Sequence, residues 1–471
     1  MTVPLLHDRR LVAWLSAAQL VSWGSVFYLF ALIMAPIEQE LALTRAQSSL
    51  GFSLALLAEG LLAYPVGRLI DKGHERAVMT CGSVLLGACL ALHSMVTSMA
   101  GFYAVWLGLG VGMAATLYTP VFAVVTRRFP DDYRRAIITM TFLGGLASTV
   151  FIPLVAWLIS QFGWRHALLF LAALHLLVCA PLHWFWLKNA PPQSGQVAPS
   201  PLRPLSPIHP AEAGKTAPAL PAHAVLASAS AEPTRQPAST LTLTDHLLSA
   251  PYLLIGLFVV LTMAATAALP AHMVSLLREN GLSEAWAIAI PASIGVIQVL
   301  GRMLLFFFEH RFDVHTANRV IPCLIPLGLM ALLGASWWGT GHGGSVASVG
   351  NAGNVGPAGG VVVYLVLLFV LLWGMGNGML TIVKGTAMAQ YVSREHVASL
   401  NGALGIPLAL ARAAAPISLG LLWSQQSGYS RGLWVMLGLT VSAVVALGLA
   451  QRLARHRGAR TNAALKTGLE H

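Results

Sequence analysis

The chain has 471 residues, of which 56% are hydrophobic and only 10% are charged. Soluble globular domains carry about a quarter charged residues, so this composition and a mean hydropathy of +0.71 exclude a soluble fold and predict a membrane protein. The formal net charge of +11 is explained by membrane topology and by attraction to anionic lipid head groups, so no nucleic-acid partner is expected.

Twelve segments are long and apolar enough to cross a bilayer as helices, which takes roughly 20 mostly apolar residues each. The predicted spans are 11–34, 46–70, 77–98, 101–126, 136–159, 165–187, 250–277, 284–308, 319–338, 361–390, 396–423 and 430–452. The predicted fold is an all-α membrane protein with twelve transmembrane helices in two six-helix bundles.

Composition divides the chain into regions. A stretch rich in Pro, Ala and Ser between the sixth and seventh spans cannot bury enough apolar surface to fold, and it predicts a disordered linker. A glycine-rich segment at 339–360 is predicted to be a mobile insertion. The predicted regions are an N-terminal bundle (1–188), a cytoplasmic linker (189–248), a C-terminal bundle (249–453) and a cytoplasmic tail (454–471).

The basic residues predict the orientation in the membrane. Short loops rich in Lys and Arg stay in the cytoplasm, and the bias is strong here when both termini are placed inside. We therefore expect a multi-pass protein of a bacterial inner membrane with both termini in the cytoplasm. The first apolar run is about a full span long and lacks an evident cleavage site, so it is predicted to be a retained helix.

A charged hairpin follows the second predicted span, with the sequence Gly67-Arg68-Leu69-Ile70-Asp71-Lys72-Gly73-His74-Glu75-Arg76. It resembles the loop between the second and third helices of the major facilitator superfamily. The resemblance implies two bundles that rock about a substrate site near the bilayer midplane. The hairpin charges either pair with the opposite half in one conformation, as a gate, or only fix topology. The gating candidates are Arg68, Asp71, Lys72, Gly73 and Arg76.

Further motifs resemble the superfamily branch that holds the monocarboxylate porters and the oxalate/formate-type carriers. In chain order they are Ser22-Trp23-Gly24-Ser25-Val26-Phe27, Tyr118-Thr119-Pro120, Gly144-Gly145, Gly163-Trp164-Arg165 and Leu269-Pro270-Ala271-His272. The eighth span, Ile294 to Arg302, is similar to a carrier motif in which an acid and an arginine lie four residues apart. Here Gln298 takes the place of the acid. Arg302 can still clamp a carboxylate, but Gln298 cannot titrate, so the proton step of the family does not carry over unchanged.

Charges inside a membrane span are costly and predict function. Glu59 is the only carboxylate predicted in mid-span. It is expected either to carry a proton, because burial raises the pKa of a carboxyl, or to brace the first bundle through a hydrogen bond to a neighbouring helix. Arg412 is expected to bind substrate or to pair with a glutamate. Lys384 either binds substrate or extends to the lipid head groups.

Other polar and aromatic residues of the spans are weaker candidates. His272 is predicted either to bind substrate or relay a proton, or to be a hydrogen-bonded packing residue. We expect either a cavity-lining role or ordinary packing for each of Gln19, Trp23, Tyr28 and Tyr118.

The sequence has no nucleotide-binding loop, metal cluster or catalytic triad, so no enzyme activity and no cofactor are expected. The prediction is a secondary active transporter that moves a small organic anion, a monocarboxylate, together with a proton by alternating access, as a monomer. Its partners are the substrate, a proton or other ion gradient and membrane lipids. The alternative is an efflux carrier for drugs or amphipathic metabolites, and a third possibility is a membrane sensor or scaffold.

Overall fold

This computed structural model describes residues 4–129, 133–188, 243–308, 314–341, 357–392 and 397–467. Within these ranges the regular structure is helical, apart from one isolated β-bridge between Ser424 and Gly428. The predicted linker at 189–248 lies outside the described residues up to position 242, and so does 342–356 of the predicted insertion.

The first half of the molecule comprises the helices before residue 189. They are α1 (Pro4–Ser22), a π-helical segment (Trp23–Phe27), α2 (Leu29–Glu40), α3 (Arg45–Asp71), α4 (Glu75–His93), α5 (Met99–Thr116), α6 (Tyr118–Arg128), α7 (Tyr133–Gly145), α8 (Ala147–Leu174), a second π-helical segment (His175–Cys179) and α9 (Ala180–Trp186).

The second half comprises the helices after residue 242. They are α10 (Leu243–Leu247), α11 (Ala250–Glu279), α12 (Glu284–Phe308), α13 (Val314–Val320), a 3-10 turn (Ile321–Cys323), α14 (Leu324–Gly341), α15 (Pro357–Tyr391), α16 (Val397–Ala403), α17 (Gly405–Leu422) and α18 (Ser430–Thr467).

The described helices account for the twelve predicted crossings. Eleven helical runs within the described ranges are long and apolar enough to cross a membrane. One of them, Thr139–Trp186, has 48 residues, which is about twice the length that one crossing needs. This run turns at Gly163, whose φ of 78° is readily adopted by glycine alone. The run therefore holds the fifth and sixth crossings, as predicted.

Glycines let the helices of each half approach closely. A side chain at Gly110 of α5 would overlap the backbone of Ala55 in α3, and one at Gly378 of α15 would overlap the backbone of Gln298 in α12. Lipid supplies little hydrophobic drive for helix association, so close backbone contact of this kind stabilises membrane bundles.

The two halves meet along two seams, α3 against α17 and α8 against α12. In the first seam, the Ile417 backbone N–H donates to the Ser53 hydroxyl over 3.1 Å. In the second, the Thr149 hydroxyl donates to the Ala292 carbonyl oxygen over 2.7 Å. These hydrogen bonds cross from one half to the other, so the seams fix the relative position of the halves.

Candidate functional site

A cavity of about 310 Å³ lies between the two halves. From the first half it is lined by the π-helical segment at Trp23–Phe27, α6, α7 and α8, and from the second half by α11, α12 and α15. Its volume is at the lower end of the range for small-molecule sites, about 300 to 1,000 Å³. The cavity therefore has the size and position of a site for a small molecule.

The first-half wall of the cavity is aromatic. Its rings belong to Trp23, Phe27, Tyr28, Tyr118 and Phe122. The ring centroids of Trp23 and Tyr118 are 4.9 Å apart, and those of Tyr118 and Phe122 are 5.1 Å apart in a stacked pair. Phe27 contacts Trp23 edge-on at 5.1 Å. These spacings are typical of favourable ring pairs, so the five rings form one continuous surface.

Irregular backbone places these rings. Trp23 and Phe27 begin and end the π-helical segment of the first crossing, and such segments occur often at functional sites. In the fourth crossing the helix is broken at Leu117, where ψ is −163°, and α6 begins with Tyr118. Interrupted helices of this kind form the substrate sites of many transporters.

Two adjacent glycines separate the aromatic wall from the second half. A side chain at Gly144 would overlap the Tyr118 hydroxyl, and a Cβ at Gly145 would lie 3.4 Å from Arg302 Nη1 and 3.1 Å from Val299. Gly144 thus makes room for Tyr118, and Gly145 makes room for Arg302.

The second-half wall carries the charges of the cavity among apolar side chains that include Met263, Met273, Ile294 and Trp373. Gln298 and Arg302 both line the cavity from α12, one helical turn apart, and Asn377, Thr381 and Lys384 line it from one face of α15. Arg302 Nη1 donates to the Thr141 carbonyl oxygen over 2.8 Å, while Arg302 Nε is buried without a hydrogen-bond partner among the described residues. Neither Arg302 nor Lys384 forms a salt bridge with a carboxylate of the described residues. The cavity therefore holds two cations without a carboxylate partner in this part of the chain.

Glu59 and Arg412 form an ion pair across the α3–α17 seam. Arg412 Nη2 donates to Glu59 Oε2 over 2.9 Å and Nη1 donates to Oε1 over 3.3 Å. Glu59 is 7% exposed. This contact differs from the predicted hydrogen bond that would brace the first bundle, because the partner of Glu59 lies in the second half. Arg412 makes the glutamate pair instead of lining the cavity, although it lies within electrostatic range of Lys384.

His272 and Gln19 lie outside the cavity lining. His272 is fully buried, and its Nε2 donates to the Pro416 carbonyl oxygen over 3.0 Å. Its Nδ1 lies 3.0 Å from the Tyr429 hydroxyl and accepts from it. Gln19 Nε2 donates to the Thr116 carbonyl oxygen over 2.6 Å. Both residues thus make the contacts expected of hydrogen-bonded packing residues.

His272 belongs to a polar network that joins the halves at the Arg45 end of α3. Arg45 Nε donates to Glu38 over 3.0 Å, and Arg45 Nη1 donates to Glu279 over 3.1 Å and to the Tyr429 hydroxyl over 2.5 Å. Trp423 Nε1 donates to Glu279 over 3.0 Å. We call these residues and His272 the Arg45 network. The sequence analysis missed it, and the only signal was the presence of charges at the ends of α2, α3 and α11.

The hairpin after α3 is held by the first half. Lys72 caps α3 through a backbone bond to the Arg68 carbonyl oxygen, and Gly73 has a φ of 89°. Arg76 donates to the Trp184 carbonyl oxygen over 2.8 Å, with its guanidinium 3.5 Å from the Trp184 ring centroid. Both contacts lie within the first half, and the gating role of Arg68, Asp71, Lys72, Gly73 and Arg76 stays a prediction.

Six of the nine substrate-site candidates line the cavity, namely Trp23, Tyr28, Tyr118, Gln298, Arg302 and Lys384. The sequence analysis missed Phe27, Phe122 and Asn377. Helical spacing could have indicated them, since Phe27 and Phe122 follow Trp23 and Tyr118 by one turn and Asn377 precedes Lys384 by two.

A helical protein with twelve crossings and a cavity between two halves is a multi-pass membrane protein with the architecture of a two-bundle carrier fold. Residues 15–358 match the model of the Major Facilitator Superfamily, and the chain belongs to this family.

Curated relatives are similar to part of the chain. The chain is 37% identical to monocarboxylate transporter 13 of Bos taurus over 25% of this chain and 28% of that protein, and 31% identical to monocarboxylate transporter 13 of Rattus norvegicus over 34% and 36%. It thus spans about a third or less of these relatives.

A mutant of the nucleoside transporter NupG has a TM-score of 0.65 at 14% identity, covering 94% of this chain and 99% of that chain. A bacterial homologue of the human lysosomal transporter Spinster has a TM-score of 0.64 at 13% identity, covering 95% and 97%. These structures share the fold.

Proposed function

We propose that the chain transports a small organic anion, a monocarboxylate, coupled to a proton, by alternating access. One observation carries the proposal: Arg302 and Lys384 line an otherwise largely apolar cavity, and neither has a carboxylate partner in the described part of the chain. An unpaired charge within a membrane is costly, and a bound anion would offset that cost. The likeness to monocarboxylate transporters supports the same substrate class.

The orientation is part of the proposal. The Arg45 network would lie on the outer side, and the hairpin that ends at Arg76 would lie in the cytoplasm. Its support is the excess of Lys and Arg on the side of the hairpin and the termini. The protein would act as a monomer in a bacterial inner membrane.

Glu59 is the candidate for proton coupling. Gln298 cannot titrate, whereas protonation of Glu59 would remove the charge that pairs with Arg412 across the seam. Losing that pair would weaken the contact between α3 and α17, which provides a link between proton binding and movement of the halves.

The substrate is tested by uptake into proteoliposomes. A panel of monocarboxylates, neutral solutes and amphipathic cations is offered under an imposed pH gradient, with Arg302→Ala and with Arg278→Ala as a matched control for an exposed arginine. We expect carboxylate uptake to fall at least tenfold in Arg302→Ala and to stay near the parent level in Arg278→Ala. Normal carboxylate uptake by Arg302→Ala contradicts the proposal, and transport of cations by both variants would support the efflux carrier instead.

Proton coupling is tested with Glu59→Gln. With the parent protein, carboxylate should accumulate inside the proteoliposomes, against its concentration gradient, when the outside is acidified. Glu59→Gln should exchange carboxylate without responding to the pH gradient. The control is Glu284→Gln, which removes an exposed carboxylate. Accumulation by Glu59→Gln that still follows the pH gradient would assign the coupling to another group.

A further inference from the structure

We infer that the transported anion is an aryl carboxylate, whose ring lies on the aromatic wall while its carboxylate lies at Arg302 and Lys384. The inference rests on the proposed function and names the substrate class of the same cavity. Its basis is the lining of the cavity, in which five clustered rings belong to the first half, while both cations and one further ring, Trp373, belong to the second.

The aromatic wall is suited to a flat ring. Trp23, Phe27, Tyr28, Tyr118 and Phe122 are each only partly buried, so part of each side chain remains open to contact. Aromatic rings pair with one another in stacked and edge-on arrangements that aliphatic chains cannot reproduce. A single substrate ring could therefore gain contacts from several of these side chains at once.

The opposite wall fixes the carboxylate. The Arg302 guanidinium is held by Thr141, and its Nε is a buried donor without a partner in the described residues. A guanidinium binds carboxylate oxygens through paired donors, and Lys384 adds a second cation on α15. A substrate carboxylate bound by the Arg302 guanidinium would reduce the repulsion between Arg302 and Lys384.

A substrate with both groups uses the five-ring aromatic wall of the first half and the cations of the second at once. A short aliphatic acid would satisfy the cations and leave the aromatic wall unused, and a neutral arene would leave the cations unpaired. A ligand shifts a conformational equilibrium only through its different affinity for the two states. A ligand that contacts both walls is therefore better able to favour closure than one that contacts a single half. The cavity volume of about 310 Å³ favours one ring over a larger amphipath.

The inference is tested by comparing three monocarboxylates in proteoliposomes: benzoate, cyclohexanecarboxylate and acetate. Benzoate and cyclohexanecarboxylate have similar size, so their ratio isolates the aromatic contribution. We expect the KM of benzoate to be at least tenfold lower than that of acetate, with cyclohexanecarboxylate between them. If acetate is transported with a KM equal to or below that of benzoate, the proposed function stands and the inference is overturned. If no carboxylate is transported, both are overturned.

Variants locate the selectivity in the aromatic wall. Tyr118→Leu and Phe122→Leu should each lower the ratio of benzoate to acetate kcat/KM at least fivefold. The matched control is Phe170→Leu, which removes an exposed ring of α8 outside the cavity and should leave the ratio unchanged. Thermal shifts with benzoate and with acetate give a second readout that needs no transport. An unchanged ratio in both wall variants, with benzoate shifts like those of the parent, contradicts the inference.

Discussion

The seam between α3 and α17 differs between its two ends. At the Arg45 end the helices pack closely, since a side chain at Gly420 would contact Ser49 at 2.7 Å, and the Arg45 network covers the junction. Towards the Gly67 end, Tyr64 is 72% exposed and Ile406 is 68% exposed. Both lie one turn beyond the contact of Gly60 with Ala409, on the faces that meet there. The helices therefore separate beyond this point.

We call these regions the closed end (45–53 with 417–422) and the open end (61–69 with 402–408). The Glu59–Arg412 pair lies between the closed end and the open end, and we call it the boundary ion pair. The comparison indicates that the contact of α3 with α17 is concentrated at one end, held there by polar bonds and glycine packing. Rearrangement of the halves would require exchange of these contacts for new ones at the open end.

The largest expected effect comes from breaking the boundary ion pair. In Arg412→Gln, the Glu59 carboxylate loses its partner while it remains largely buried. An uncompensated buried charge costs about 3 kcal/mol, which thermal unfolding in detergent should register as a clear fall in Tm. Adding Glu59→Gln to Arg412→Gln should restore part of the loss.

The control for this prediction is Arg278→Gln, because Arg278 pairs with Glu284 on the surface, where the side chains are 33% and 59% exposed. Exposed pairs contribute less than about 1 kcal/mol. Equal losses of Tm in Arg412→Gln and Arg278→Gln would show that the boundary ion pair contributes no more to stability than the surface pair.

An intermediate effect is expected from filling the seam at Gly60. A side chain there would overlap Ala409, and overpacking of this kind costs about 1 to 3 kcal/mol. Gly60→Leu should therefore lower the Tm. The matched variant Gly67→Leu lies on the same helix, where an added Cβ has no atom of the described residues within 4 Å, and should change stability by no more than about 0.5 kcal/mol. A Tm loss in Gly67→Leu as large as in Gly60→Leu would mean that the open end is also packed.

The fold was predictable from sequence because apolar length alone defines a membrane crossing. The turn at Gly163 was also readable, since Gly163 separates two apolar runs. The π-helical segment at Trp23–Phe27 was not, because no local signal distinguishes it from regular helix. The segment packs against other helices of the bundle, as in the 2.7 Å contact of Ser25 with His175, and such contacts form only in the folded molecule.

The charged side of the cavity was also more predictable than its aromatic side. Arg302 and Lys384 stood out because cations are rare within spans and costly there. Phe27 and Phe122 did not, since an aromatic residue in an apolar helix packs against lipid or neighbours equally well. The Arg45 network escaped prediction because Glu38, Glu279 and Tyr429 come together only in the folded molecule.

The smallest effect is expected from removing hydrogen bonds of the Arg45 network at the closed end. The Tyr429 hydroxyl accepts from Arg45 and donates to His272, so Tyr429→Phe removes two bonds of the Arg45 network at a cost of about 1 kcal/mol. We expect faster backbone hydrogen exchange in 45–53 and 417–422, measured by mass spectrometry, because both segments of the closed end would open more often.

The matched control is Tyr252→Phe, which removes a hydroxyl that donates to the Leu400 carbonyl oxygen within the second half. It should lower stability slightly and leave exchange at the closed end unchanged, because its bond does not cross the seam. If both variants change exchange there equally, the closed end responds only to global stability. If only Tyr429→Phe does, the polar bonds across the seam hold the two halves together, as the contrast with the open end implies.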